Sequence, residues 1–251
     1  MQVPRGATHL ELDFQCLTPV NANVGPVVMT SQQLFIDWNT VLLYPAGYFA
    51  RRIPAEAQLK LPTGWKAASA LDVASVVGPD TRYRATTIET LVDSPVLAGV
   101  NLKRYDISAA ATPVFLDVVA EQPELLELKP EVVDQHRALV REASQLFGSQ
   151  HFDHYDFLYS IGDTLSFDIT LEHLRSGAYG LPANEFTDWE HSIVRRDDLA
   201  HEFVHSWDGK FRRPADLWTP NFNVPMRNSL LWLYEGGTEY WGMVLTARAG
   251  L

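Results

Sequence analysis

The chain of 251 residues carries a single cysteine, Cys16, so no intrachain disulfide can form and thiol usage does not report the compartment. A metal ion, if one is bound, must be held by histidine and carboxylate. Basic residues are scarce. Twenty Lys and Arg against thirty-one Asp and Glu leave a net charge of −11 with histidine neutral, which argues against a nucleic-acid partner, because phosphate binding needs clustered Lys and Arg. No apolar run approaches the roughly 18 residues that a membrane span requires. The start, Met1-Gln-Val-Pro-Arg-Gly6, lacks the layout of a signal peptide. These absences lead to the expectation of a chain that does not insert into a bilayer and works in the cytoplasm or periplasm. Internal repeats and low-complexity stretches are also missing.

What is present is enough for one large or two ordinary domains with a sizeable core, since 46% of the residues are hydrophobic. Up to about residue 120 the pattern is that of strands. Leu10, Leu12, Phe14 and Cys16 alternate with polar residues, and short apolar runs follow at 33–43, 57–61, 70–77 and 114–119. Turn formers separate them, as in Pro45-Ala-Gly47, Pro62-Thr-Gly64 and Gly78-Pro-Asp80, which suggests an antiparallel sandwich or folded sheet over residues 1–122. The composition changes at Pro123. From Pro130 to Phe147 apolar residues recur at helical intervals and Gly148 supplies a stop, so a second domain is expected over 123–251 and the fold class is α+β. Residues 156–161 and 165–173 read as further strands. The segment Ser176 to Pro182 reads as passing over the site, and Thr187 with Glu190 reads as a capping box at a helix start.

The chemistry is expected in Leu199-Ala-His-Glu-Phe-Val-His-Ser-Trp-Asp-Gly-Lys210. Between His201 and His205 a helix turns about 400°, which puts both imidazoles on one face about one turn apart. Glu202 projects roughly 100° away from His201, where it can reach a water held by the metal without taking a ligand position. Catalytic zinc usually has three protein ligands and one open position. The third ligand is therefore sought elsewhere, and the best candidate is Glu235 in the apolar helical run Leu231-Trp-Leu-Tyr-Glu-Gly-Gly-Thr-Glu-Tyr-Trp241. Glu239, one turn later, has two readings: acceptor for the free N–H of a liganding histidine, or a solvated surface residue. The basic cluster Lys210, Arg212 and Arg213 either caps the first helix or binds a substrate carboxylate, with capping favoured. His151 and His154 are a much weaker metal pair. This set implies hydrolysis of an amide bond, with Glu202 as general base toward a zinc-held water and proton donor to the leaving amine.

His201-Glu-Phe-Val-His205 with the distant Glu235 resembles the gluzincin metallopeptidases. His205-Ser-Trp-Asp-Gly-Lys-Phe-Arg-Arg-Pro214 and the Leu231–Trp241 run are similar, more closely, to the glycyl aminopeptidase family of that clan. Leu91-Val-Asp-Ser-Pro95 and Tyr155-Asp-Phe-Leu158 extend the likeness over most of the chain. The resemblance implies a β-rich N-terminal domain, a thermolysin-like catalytic domain, a Zn2+ cofactor on His201, His205 and Glu235, and peptide substrates. It further implies that Glu172, in Leu171-Glu-His173, binds the free α-amino group and that small N-terminal residues such as Gly or Ala are removed. The alternative for Glu172 is a plain exposed residue on an edge strand. Two departures are visible: Asp168, Ile169 and Thr170 stand where the family carries glycine, and the family continues beyond the Glu235 helix, where its oxyanion-stabilising tyrosine lies. The catalytic domain is thus expected to be truncated, which leaves a weakly active zinc-containing peptide-binding or assembly fragment, or an endopeptidase, as the alternative readings.

Overall fold

The computed structural model describes residues 5–165 and 170–251, apart from the side chains of Ile193 and Val194. In chain order the elements are β1 (Gln33–Ile36), β2 (Pro54–Ala55), β3 (Gln58–Lys60), β4 (Lys66–Ser69), β5 (Val73–Val77), β6 (Asp80–Tyr83), β7 (Thr86–Thr87) and the short helix α1 (Ile88–Val92). They are followed by β8 (Val96–Gly99), β9 (Leu102–Asp106), β10 (Val114–Ala120), α2 (Pro130–Phe147) and β11 (Tyr155–Ile161). The last are β12 (Leu171–Glu172), β13 (Ser176–Leu181), α3 (Arg196–His205) and α4 (Leu231–Ala249). The fold is α+β.

One five-stranded sheet, in the order β12-β13-β11-β10-β9, carries the rest. β10, β11 and β13 run parallel and β9 and β12 flank them antiparallel. The parallel strands are buried on both faces, which explains their largely apolar sequences, and the two buried carboxylates among them, Asp117 and Asp156, both pair with Arg104. Alternation divides them. Leu116, Val118, Tyr155, Phe157 and Tyr159 face α2, α3 and α4, whereas Val119, Leu158 and Ala178 face a second sheet, β1-β8-β4. That sheet packs its other side against residues of the third, β3-β6-β5, through Leu61, Tyr83, Val96 and Ala98. Layers of helix, sheet, sheet and sheet result. β10 and β11 lie on either side of residue 122 and are adjacent strands of one sheet.

Several local expectations need correction. The alternating segment 10–16 forms no strand: Leu10, Leu12 and Phe14 are 46%, 40% and 52% exposed, and no neighbouring strand offers the backbone pairing that a ladder needs. Residues 176–181 do not cross over the site but form the buried strand β13, where small residues leave room for close packing. Thr187 caps no helix. Its hydroxyl donates to the Asn184 carbonyl in a run of turns, and α3 begins only at Arg196, after one tight turn at Ser192–Arg195. Arg196, the first residue of α3, is buried, with its guanidinium 4.0 Å from the centre of the Trp189 ring. The strand expected from Leu165 is described only at Leu171–Glu172; Asp168 and Ile169 lie outside the described residues.

α2 is fixed to the sheet by a buried histidine. His136 Nδ1 lies 2.7 Å from the Val132 carbonyl and Nε2 lies 3.0 Å from the Tyr159 hydroxyl, so Nδ1–H donates and Nε2 accepts. Burial lowers its pKa to about 4. The unfolded chain takes up this proton near the ordinary value of 6.5, while the folded protein resists until about 4. The contribution to stability is therefore complete above that window and is lost as pH falls through it. Between pH 7 and pH 5 the wild type should lose about 2 kcal/mol more unfolding free energy than His136→Asn. Urea melts at both pH values measure this, and equal losses would show that His136 titrates normally.

Candidate metal centre

α3 and α4 cross at very close range. A Cβ built on Gly242 of α4 would lie 3.1 Å from both the N and the Cα of His201, so only glycine lets the helices approach as they do. Behind α3, Leu199, Ala200, Phe203 and Val204 are buried in the aromatic core of Phe152, Tyr155 and Phe157, which fixes its opposite face toward α4.

On that face His201 Nε2 and His205 Nε2 stand 3.0 Å apart. Glu235 Oε2, from the fifth residue of α4, lies 3.4 Å from the former and 3.3 Å from the latter. A tetrahedral zinc with bonds of about 2.0–2.2 Å requires donor-to-donor edges of about 3.3–3.6 Å, so the three atoms nearly span one face of such a tetrahedron. Their protonation makes the same demand. His201 Nδ1 is 3.0 Å from Glu239 Oε2, and His205 Nδ1 is 3.1 Å from the Asp208 carbonyl, with Thr238 Oγ1 at 3.3 Å. The outer acceptors place N–H on each Nδ1, so both Nε2 atoms aim lone pairs at each other and at a carboxylate oxygen. Burial lowers the His205 pKa and disfavours a bridging proton. A divalent cation resolves the repulsion, and the residues present fit zinc.

Glu202 sits apart from these donors. Its carboxylate is 6% exposed, it accepts a hydrogen bond from Thr170 Oγ1 at 2.7 Å, and burial, reinforced by Glu172, pushes its pKa up to about 7 against that hydrogen bond. Glu235 is half-exposed and opens on a cleft of about 770 Å³ bounded by the start of α4, the segment after α3 and β12 on one side and by α1 and the turns at Asp37 and Ala50 on the other. Glu172, Asp93, Lys210 and Tyr234 line the same cleft. The Tyr234 hydroxyl donates to Glu172 Oε1, and the Tyr234 ring lies 4.4 Å from the His205 ring. Burial alone would raise the Glu172 pKa, but Lys210 and Tyr234 hold it below the usual range.

The structure thus brings together His201, His205, Glu235 and Glu239, and puts Glu172 in the adjoining cleft. Lys210 does not cap α3. Its ammonium contacts Asp93 at 2.9 Å, and of the three side chains in the cluster Arg213 donates to a carbonyl near the helix end, that of Gly209. His151 and His154 are not brought to a common point, because His151 bonds Ser206 and stacks on Phe211 while His154 pairs with Asp156. Sequence reasoning missed Tyr234, Asp93 and the Asp208 carbonyl. Tyr234 adjoins Glu235 and Asp93 lies in a quoted motif, but a backbone carbonyl leaves no sequence signal.

Known proteins resemble this chain in sequence and in fold. A family model described as M61 glycyl aminopeptidase matches residues 195–251, and the Peptidase M61 N-terminal domain model matches residues 2–100. A search of curated proteins gives no match. Among solved structures, an aminopeptidase N family protein from Idiomarina loihiensis superposes with a TM-score of 0.72 at 21% identity, a likeness of fold alone, over 92% of this chain and 40% of that one. An M1 zinc metallopeptidase from Deinococcus radiodurans matches more loosely, with a TM-score of 0.45 at 16% identity over 78% of this chain and 41% of that one. The chain therefore spans about two fifths of the length of the structures it matches.

If Glu239 fixes the His201 tautomer, Glu239→Ala should weaken zinc binding by about 10- to 100-fold while His205→Ala abolishes stoichiometric binding. Competition with a chromophoric chelator reads both. Unchanged zinc affinity in Glu239→Ala would return that residue to the solvated surface.

Proposed function

The chain belongs to the M61 glycyl aminopeptidase family, and from that premise we propose that it is the site-bearing part of a zinc aminopeptidase that removes small N-terminal residues such as Gly or Ala. The observation that carries this reading is the convergence of His201 Nε2, His205 Nε2 and Glu235 Oε2 within 4.8 Å of one another. His201, His205 and Glu235 would hold the ion. When bound there, zinc supplies Lewis acidity toward the scissile carbonyl.

The chain's own residues do the rest. Glu239 and the Asp208 carbonyl hold the two imidazoles in the tautomer that presents Nε2. Glu202, buried and with its pKa near neutrality, takes a proton from the attacking water and returns it to the leaving nitrogen, so that water and amide become carboxylic acid and amine. Glu172 receives the substrate's α-ammonium group in the cleft. A carboxylate fixed beside the metal donors would count one residue from the N-terminus and so favour exopeptidase over endopeptidase action. The wall supplied by α1 and the turns of the N-terminal part, including Asp37, Arg51 and Asp93, would bound the peptide on the other side.

Zinc-loaded wild type should release aniline from glycyl and alanyl anilides. Glu202→Gln should keep its zinc and lose about 10²- to 10⁴-fold in turnover. Glu172→Ala should discriminate the modes: a loss confined to substrates with free amino ends supports an aminopeptidase, and equal cleavage of N-blocked peptides would identify an endopeptidase. Zinc bound without any cleavage would leave a binding fragment.

A further inference from the structure

The segment Leu91-Val-Asp-Ser-Pro95 closes α1 and leads into β8, far in sequence from the metal donors, yet Asp93 reaches the wall of the cleft. Its Oδ1 accepts from Lys210 Nζ at 2.9 Å and lies 3.5 Å from His173 Nδ1. Its Oδ2 accepts from the Leu174 amide at 2.8 Å, just past β12. Lys210, on the turn after α3, also stands 3.8 Å from Glu172 Oε1, the oxygen that Tyr234 addresses. One ammonium therefore lies between two carboxylates and contacts only the nearer.

This asymmetry has a consequence for the cleft. Glu172, with a side chain only 21% exposed, is held ionised by the Tyr234 hydroxyl and by an ammonium close by, that of Lys210 in the free cleft or the substrate's own once it is bound. A lysine at 3.8 Å supplies that charge without occupying the carboxylate. If Asp93 lost its charge, Glu172 would be the remaining anion in reach, and the flexible stem of Lys210 could close a gap of about 1 Å at little cost. An ammonium in contact with Glu172 would imitate the substrate's own α-ammonium group and fill its place.

We infer that Asp93 is a positioning residue for substrate recognition: by keeping the Lys210 ammonium to itself, it leaves Glu172 open to the α-ammonium group of a peptide. The inference rests on the aminopeptidase reading of the site. It makes the N-terminal unit a determinant of amine selectivity, acting through charge and not only through shape.

The test uses the zinc-loaded full chain and two probes, alanine hydroxamate and its Nα-acetyl derivative, titrated calorimetrically at pH 7. The ratio of their dissociation constants reports amine recognition independently of turnover. Wild type should prefer the free amine by about tenfold or more, the discrimination expected of a charge-assisted contact. Asp93→Asn should collapse the preference, and Asp93→Asn combined with Lys210→Met should restore it, a non-additivity that a merely structural defect would not produce. Lys210→Met alone should keep the preference, which supplies a second reading if Asp93→Asn does not fold. A wild type without preference overturns the aminopeptidase reading and this inference with it. A wild-type preference that survives in Asp93→Asn, or is lost without rescue by the second substitution, or is lost in Lys210→Met alone, overturns the inference and leaves the aminopeptidase reading standing.

Discussion

Three hydrogen-bond acceptors held between 3.0 and 3.4 Å of one another, with both imidazole protons turned outward, form an arrangement that a protein without a cation would relax. Holding it takes rigid neighbours. α3 is pinned by its apolar face to the aromatic layer above the central sheet, and α4 is brought against it at Gly242. The outer nitrogens are tied to Glu239 and to the Asp208 carbonyl, so neither ring can turn its N–H inward without losing a hydrogen bond. The electrostatic cost of holding these donors together is thus met by packing, and a divalent ion would turn that cost into affinity.

Around this point the charges are graded by burial. Glu202, deepest and bonded to Thr170, is pushed toward neutrality. Glu172, nearer the cleft, is kept anionic by Lys210 and Tyr234. Asp93 is anionic too: burial works against it, but Lys210 and His173 draw its pKa well below the usual carboxylate range. Carboxylates of one chemical kind therefore occupy different protonation regimes within one region of the fold, separated by environment alone.

The placement of His201, Glu202 and His205 was legible in the sequence because it is local: a helix sets their relation whatever surrounds it. α2 was legible for the same reason, its periodicity ending at Gly148 in the left-handed conformation. Glu235 and Glu239 required an additional supposition, that two helices pack side by side, and the apolar run around them suggested it. Where the outcome hung on non-local pairing, the pattern misled. Residues 10–16 alternate as a strand should but meet no partner, and 176–181 look like a loop but lie between β11 and β12. The shift in composition at Pro123 marks where helix begins, whereas the sheet continues across it from β10 to β11. Asp93 was quoted without a role because its partners, Lys210 and the Leu174 amide, are 117 and 81 residues away.

The N-terminal part also reaches the site by a second route. The loop joining α3 to α4 is tied to the segment between β1 and β2, since the Pro220 carbonyl accepts from the Ala50 amide and the Phe222 amide donates to the Tyr44 hydroxyl. The start of α4, where Glu235 stands, is therefore located from two directions: by the helix crossing at Gly242 and by a loop anchored on the other unit. A helix held only at the crossing could still pivot there, and Glu235, seven residues away, would swing out of reach of the histidines. The loop contacts oppose that pivot. They make the N-terminal unit a mechanical part of the metal centre as well as one wall of the cleft it opens on.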